Sequence, residues 1–145
     1  EMQRSLVGSE MCIRDSYCGD EDNGQTSAWY VFSAMGFYPV CPGSNQYVLG
    51  TPYFDKMTLH LENGKTMTIT AKGNSDETRY VNSMTLNGVP YNHNFLNHTD
   101  LMNGGNIEFT MSATPNKQRG TLDEDVPYSF SNTLKAVKTK KGKKK

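Results

Sequence analysis

The chain has 145 residues, room for one ordinary domain or for a small domain plus part of another. Its formal charge of zero hides an asymmetry: residues 134–145 hold seven of the 15 basic residues and no acid, so eight bases face 15 acids in the rest, a net of −7. An acidic body argues against a nucleic-acid groove in the folded part, and no apolar run is long enough to span a bilayer.

Residues 1–16 carry neither helical nor strand periodicity. Residues 5–16 resemble a translated sequencing-adapter read, so this stretch is expected to be a non-native leader with no bearing on the fold. Three cysteines, Cys12, Cys18 and Cys41, show no CxxC or paired metal spacing. A Cys18–Cys41 bridge is compatible with the count but has no other support.

From Asp22 the pattern changes. Asp22-Asn23-Gly24-Gln25 fits a capping box, with Asp22 as N-cap and Gln25 three residues on. Ala28, Val31, Phe32 and Met35 recur at helical spacing, Trp29 and Tyr30 make a second flank apolar, and Gly36 and Pro39 end the run. The pattern predicts a helix of about 13 residues, buried on most sides, with Trp29 in the core. No second strongly helical segment offers it neighbours, so it reads as the end of a larger helical domain.

After Pro42-Gly43-Ser44 the period falls to two. Strands are expected at Tyr47-Val48-Leu49, at Met57-Thr58-Leu59-His60-Leu61 and at Met67-Thr68-Ile69-Thr70-Ala71, with Asn63-Gly64 as a two-residue hairpin turn between the last two. Tyr80 to Leu86 leads through a second such turn, Asn87-Gly88, into Val89-Pro90-Tyr91, and Ile107 to Met111 follows Gly104-Gly105. This spacing indicates an antiparallel β-sandwich. Residues 121–130 read as a closing segment, and the lysine-rich tail 134–145 as solvated and disordered.

Three consecutive acids, Asp20, Glu21 and Asp22, stand at the helix start and admit three readings. One is a capped helix with exposed acids favoured by its dipole. A second is a calcium loop of the EF type, but its fifth position would be Gly24 and its twelfth Val31, where a bidentate glutamate is required. The third is general-base chemistry, one carboxylate activating water beside a neighbour that tunes it. His60, His93 and His98 are too scattered for a zinc site, with His60 pointing outward from its strand. Asn97-His98-Thr99 matches a glycosylation acceptor, a pattern frequent by chance.

The stretch from Gly19 to Pro39, GDEDNGQTSAWYVFSAMGFYP, closely resembles the signature near the C-terminal end of glycoside hydrolase family 92, the calcium-dependent exo-acting α-mannosidases. The likeness continues through Tyr47-Val48-Leu49-Gly50-Thr51-Pro52-Tyr53-Phe54-Asp55-Lys56, Leu86-Asn87-Gly88-Val89-Pro90-Tyr91, His98-Thr99-Asp100-Leu101 and Pro115-Asn116, and so spans about residues 17–133. The resemblance implies that residues 17–42 are the catalytic loop and last helix of an (α/α)6 barrel. Residues 43–121 would be the C-terminal sandwich and 122–133 its closing segment.

It also implies removal of terminal α-linked mannose, α-1,2 foremost, from glycans with inversion. Inversion requires a general acid and a separate carboxylate that activates water. The resemblance carries the base function onto Asp22, with Asp20 as its partner, the two best treated as a coupled pair. The acid and most calcium ligands would lie upstream in a missing N-terminal part of the same polypeptide, leaving this chain inactive alone. Members of the family are typically secreted or periplasmic. The alternative is a non-catalytic sandwich that binds carbohydrate or only packs.

Overall fold

The computed structural model describes residues 21–41 and 43–131. The leader, Asp20, Cys12, Cys18 and the basic tail, on which several expectations fell, lie outside the described residues.

The helix α1 runs Gln25–Met35, shorter than its apolar pattern suggested. A 3-10 turn, Glu21–Asn23, precedes it, closed by the Gly24 N–H donating to the Glu21 carbonyl at 2.8 Å. Gly24 takes the N-cap position with φ 74°, and no side chain caps the helix from there. Asp22 is therefore not the N-cap expected of it: the chain tightens into a 3-10 turn through Asp22 and enters the helix only after a left-handed residue. At the other end the expectation holds. Gly36, at φ 88°, donates its N–H back to the Phe32 and Ser33 carbonyls and ends the helix.

Burial along α1 also differs from the sequence reading. Only Ala34 and Met35 are buried, whereas Trp29 is 54% exposed and Tyr30 and Val31 are comparably open. The apolar residues are present as the periodicity required, but among the described residues nothing covers the first two turns. Phe32 anchors the last turns, lying edge-on to Phe37 and Tyr38 and stacking on Tyr47 at 6.0 Å.

The remainder is mostly strand, in two sheets. Strands β1 (Phe37–Tyr38), β2 (Gln46–Leu49) and β7 (Phe95–Asn97) form a three-stranded antiparallel sheet in the order β1-β2-β7. The second sheet takes β3 (Lys56–His60), β4 (Thr66–Thr70), β8 (Gly105–Ser112), β5 (Tyr80–Leu86) and β6 (Val89–Pro90) in that order. Its pairings are antiparallel except β4 with β8, which run parallel with Ile69 opposite Ile107. The sandwich is thus mixed where the alternation alone suggested a purely antiparallel one. A short helix α2, His98–Asn103, feeds β8 into the middle of the sheet from the side that makes this pair parallel.

The alternating side chains explain why the two sheets meet. Met67, Ile69, Met84, Ile107 and Phe109 point from the five-stranded sheet into one cluster with Phe37 and Leu96 of the three-stranded sheet. Met67, Leu96 and Ile107 are wholly buried. The opposite face of the larger sheet carries Thr58, Thr68, Glu108 and Thr110, as period-two patterning requires.

Both Asn-Gly pairs make turns, but of different kinds. Asn87 and Gly88, at φ 53° and 80°, form a two-residue turn between the paired Leu86 and Val89. Asn63-Gly64 instead belongs to a wider connection. Leu61 donates its N–H to the Lys65 carbonyl, Gly64 donates to Leu61, and only Gly64 turns left-handed. The Asn63 side chain is engaged elsewhere, donating to the Met102 carbonyl at 2.7 Å.

The helix is clamped to the sandwich at its C-terminal end. Gly50 donates its N–H to the Gly36 carbonyl at 2.8 Å, Tyr53 donates to Ala34 at 3.0 Å, and Pro52 fills the space beside Gly36. A Cβ on Gly36 would sit 2.9 Å from Pro52 while holding a left-handed φ. Gly36→Ala is therefore expected to destabilise the fold by about 1–3 kcal/mol. Urea unfolding measures it; an unchanged midpoint would show that the clamp is not built as described.

Candidate functional site

The acidic turn is the candidate site, and its described part is organised by Glu21. The Glu21 carboxylate accepts the Ser27 N–H at 2.8 Å and also the Ser27 hydroxyl. Ser27 lies in the first turn of α1, where backbone N–H groups have no partner inside the helix. Glu21 thus does from four residues before the helix what an N-cap side chain ordinarily does, and it folds the 3-10 turn back over the helix entrance. The Ser27 hydroxyl first, then its backbone N–H, holds the Glu21 carboxyl below the usual carboxylate range, burial opposing weakly. Sequence reading left Glu21 without a task. The signal was present as an acid six residues before a serine in the first turn.

Asp22 occupies the middle of the 3-10 turn, directly after Glu21 and before the left-handed Gly24. Asp20, its intended partner, lies outside the described residues. Gln25 is the first residue of α1, exposed rather than capping. Trp29 follows one turn later on the same face and is also exposed. The core role expected for Trp29 is not what these residues show.

Among the described residues, no three of His, Cys, Asp and Glu come together as metal ligands. The three histidines stay apart. His98 Nδ1 meets the Tyr47 hydroxyl at 2.8 Å, and His60 is exposed at the sheet edge as its alternation implied.

His93 belongs to a second titratable cluster, structural in character. Its Nδ1 is 2.9 Å from the buried carboxylate of Asp125. Arg119 donates to the His93 carbonyl at 3.0 Å and to Asn94 Oδ1 at 3.2 Å, and Asn94 in turn donates to the Gly120 carbonyl. Burial lowers the Arg119 pKa, with Asp125 and Tyr91 opposing. Burial first and Asp100 second push the Tyr91 hydroxyl up to about 12. These groups pin the closing segment, with its 3-10 turn Asp123–Asp125, across the loop between β6 and β7.

Residues 13–113 match the model of the glycosyl hydrolase family 92 catalytic domain. A family GH92 inverting mannosidase from Bacteroides thetaiotaomicron aligns with a TM-score of 0.71 at 53% identity, over 80% of this chain and 16% of that one. A family GH92 α-mannosidase from the same organism aligns at 0.73 and 40% identity, again over 80% and 16%. An uncharacterized secreted glycosidase from Arthroderma benhamiae is 35% identical over 121 residues, 81% of this chain and 15% of its own length. The chain thus spans about one-sixth of the length of these relatives. The matched region contains the whole acidic turn, α1 and most of the sandwich.

Glu21 carries the testable part of this geometry. Its folded pKa lies below the unfolded value, so its contribution is full above the ordinary carboxylate range and fades as pH falls through the folded value. Glu21→Gln is expected to lower helix content at neutral pH, and the difference from the parent chain to close on acidification. Far-UV circular dichroism against pH reads both; a deficit that persists unchanged into acid would rule out the Glu21–Ser27 contact as its source.

Proposed function

The chain belongs to glycosyl hydrolase family 92, and we propose that it forms the C-terminal part of an exo-acting enzyme that removes terminal α-linked mannose from glycans, with inversion and with calcium bound. The observation that carries this is the match across residues 13–113, which takes in both Asp20 and Asp22. The 53% identity to a structure described as an inverting mannosidase supports the substrate and the stereochemistry.

In this reading Asp22, paired with Asp20, accepts a proton from the water that attacks the anomeric carbon. A general acid on the opposite side protonates the leaving oxygen. Glu21 bonds to the helix entrance instead of to substrate, and Gly24 gives the turn its left-handed exit. The acid, the calcium ligands and the subsites that select linkage, α-1,2 foremost, come from the remaining five-sixths of a family-length polypeptide. That portion would also cover Trp29, Tyr30 and Val31, making α1 the last helix of an (α/α)6 barrel. These side chains are already about half covered, so burying the rest is worth roughly 1 kcal/mol each and favours that docking. The secreted relative supports export, and no described helix is long and apolar enough to cross a membrane.

A chimera tests the assignment. Residues 17–131 replace the corresponding segment of the Bacteroides inverting mannosidase, and hydrolysis of α-mannosides is followed by NMR. The chimera is expected to release β-mannose first. Asp22→Asn or Asp20→Asn within it should reduce kcat by roughly 10²–10⁴-fold. The 145-residue chain by itself should release none. A chimera that folds but turns over normally with both aspartates replaced would overturn the assignment of the base.

A further inference from the structure

Past the C-terminal end of α1, away from the acidic turn, the connection from β1 to β2 meets the closing segment around a pocket of about 490 Å³. That volume falls in the range of small-molecule sites, roughly 300–1,000 Å³. Its lining is Cys41, Ser44, Asn45, Gln46, Tyr128 and Phe130, with Gly43 at the bend. Among the described residues no Asp, Glu, Lys, Arg or His lines it, so these walls favour a neutral ligand.

The walls are built. Ser44 donates its N–H to the Cys41 carbonyl at 3.1 Å, closing a turn that Gly43 completes at φ 81°. Gln46 donates its N–H to Ser44 Oγ, and its side-chain carbonyl accepts the Tyr128 N–H at 2.7 Å. That bond joins residues 82 apart in sequence and brings Tyr128 to the polar turn, with Phe130 lining the same pocket. Tyr128 is 48% and Phe130 65% exposed. The carboxamide of Asn45 makes no hydrogen bond to another described residue, and neither does the amide nitrogen of Gln46.

We propose that this pocket is a glycan-binding subsite that takes one neutral hexopyranose unit. A pyranose has an apolar C–H face that suits an exposed aromatic ring, and a rim of hydroxyls that suits planar amides and a serine hydroxyl. Phe130 and Tyr128 supply the first, Asn45, Gln46 and Ser44 the second. The described walls carry no acid, so they offer the lysines at the chain's end no charge partner. The choice of mannose as the sugar rests on the mannosidase reading; the pyranose chemistry does not. Binding here would tether a branch of a large glycan while another branch is trimmed at the acidic turn.

The test is a ¹H–¹⁵N NMR titration of the 145-residue chain with methyl α-mannoside, methyl α-glucoside, methyl α-galactoside and glycerol. Saturable shifts of the Ser44, Gln46 and Phe130 signals are expected with mannoside and not with glycerol. Phe130→Ala should weaken binding about tenfold. Asn45→Ala, on an exposed side chain, guards against misfolding of the aromatic variant and should weaken binding with the spectrum otherwise unchanged. Saturable shifts from another pyranose alone support the pocket and remove mannose as its sugar. Absence of shifts with every glycoside, equal shifts with glycerol, or binding that survives both substitutions overturns the proposal. Removing residues 132–145 decides whether the tail is the occupant: shifts of the same signals on truncation, with no sugar binding, overturn it as well. None of these outcomes touches hydrolysis by the chimera, so failure here and failure of the mannosidase reading are separable.

Discussion

Everything functional in this chain hangs on the contact at Gly36. There the helix ends, the first strand begins, and residues 50–53 return to donate two backbone hydrogen bonds to the helix terminus. The left-handed φ and the packing of Pro52 leave space for a hydrogen and nothing larger. Ala34 and Met35 are the only buried residues of α1, so among the described residues this junction and the Phe32 aromatic cluster fix the helix direction relative to the sandwich. An 11-residue helix extends about 16 Å, so a small change of angle at Gly36 is amplified at the acidic turn on its far end.

At that far end the acids divide by partner. Glu21 is engaged with Ser27 and so bends the chain; the flanking positions, Asp20 and Asp22, are those proposed above for the chemistry. Glu21 stays charged to lower pH than an ordinary carboxylate because its hydrogen bonds to Ser27 favour the ionised form.

Much of the sandwich was legible as alternation. Met67-Thr68-Ile69-Thr70 and Ile107-Glu108-Phe109-Thr110 each place one face in the core, and strand alternation is a local property of sequence. Strands β1 and β7 were not legible, since two or three residues are too few to show a period. Nor was the parallel pairing of β4 with β8, which is decided by where α2 delivers the chain and not by either strand. For the site, residue types and spacing identified the family through a long signature. The N-cap fell at Gly24 and not at Asp22 because Asp22-x-x-Gln25 fits a helix start and equally a 3-10 turn followed by a left-handed glycine. Trp29 was misplaced for a different reason: periodicity reports that a face is apolar, not whether the same stretch of chain supplies its cover.

The position of β8 has a consequence for assembly. Among the described strands it is the last in sequence, yet it lies inside the five-stranded sheet, between β4 and β5. Until residue 112 is available, the β3–β4 and β5–β6 hairpins can form but share no edge, and each leaves an unpaired strand open to other chains. Closing the sheet brings residues 67–70 against 105–108, a long loop whose entropy must be spent before Ile69 and Ile107 meet. The sandwich should therefore form as a single late event, with its C-terminal third acting as the keystone. Its hairpins are at greatest risk of aggregation in the interval before that strand arrives.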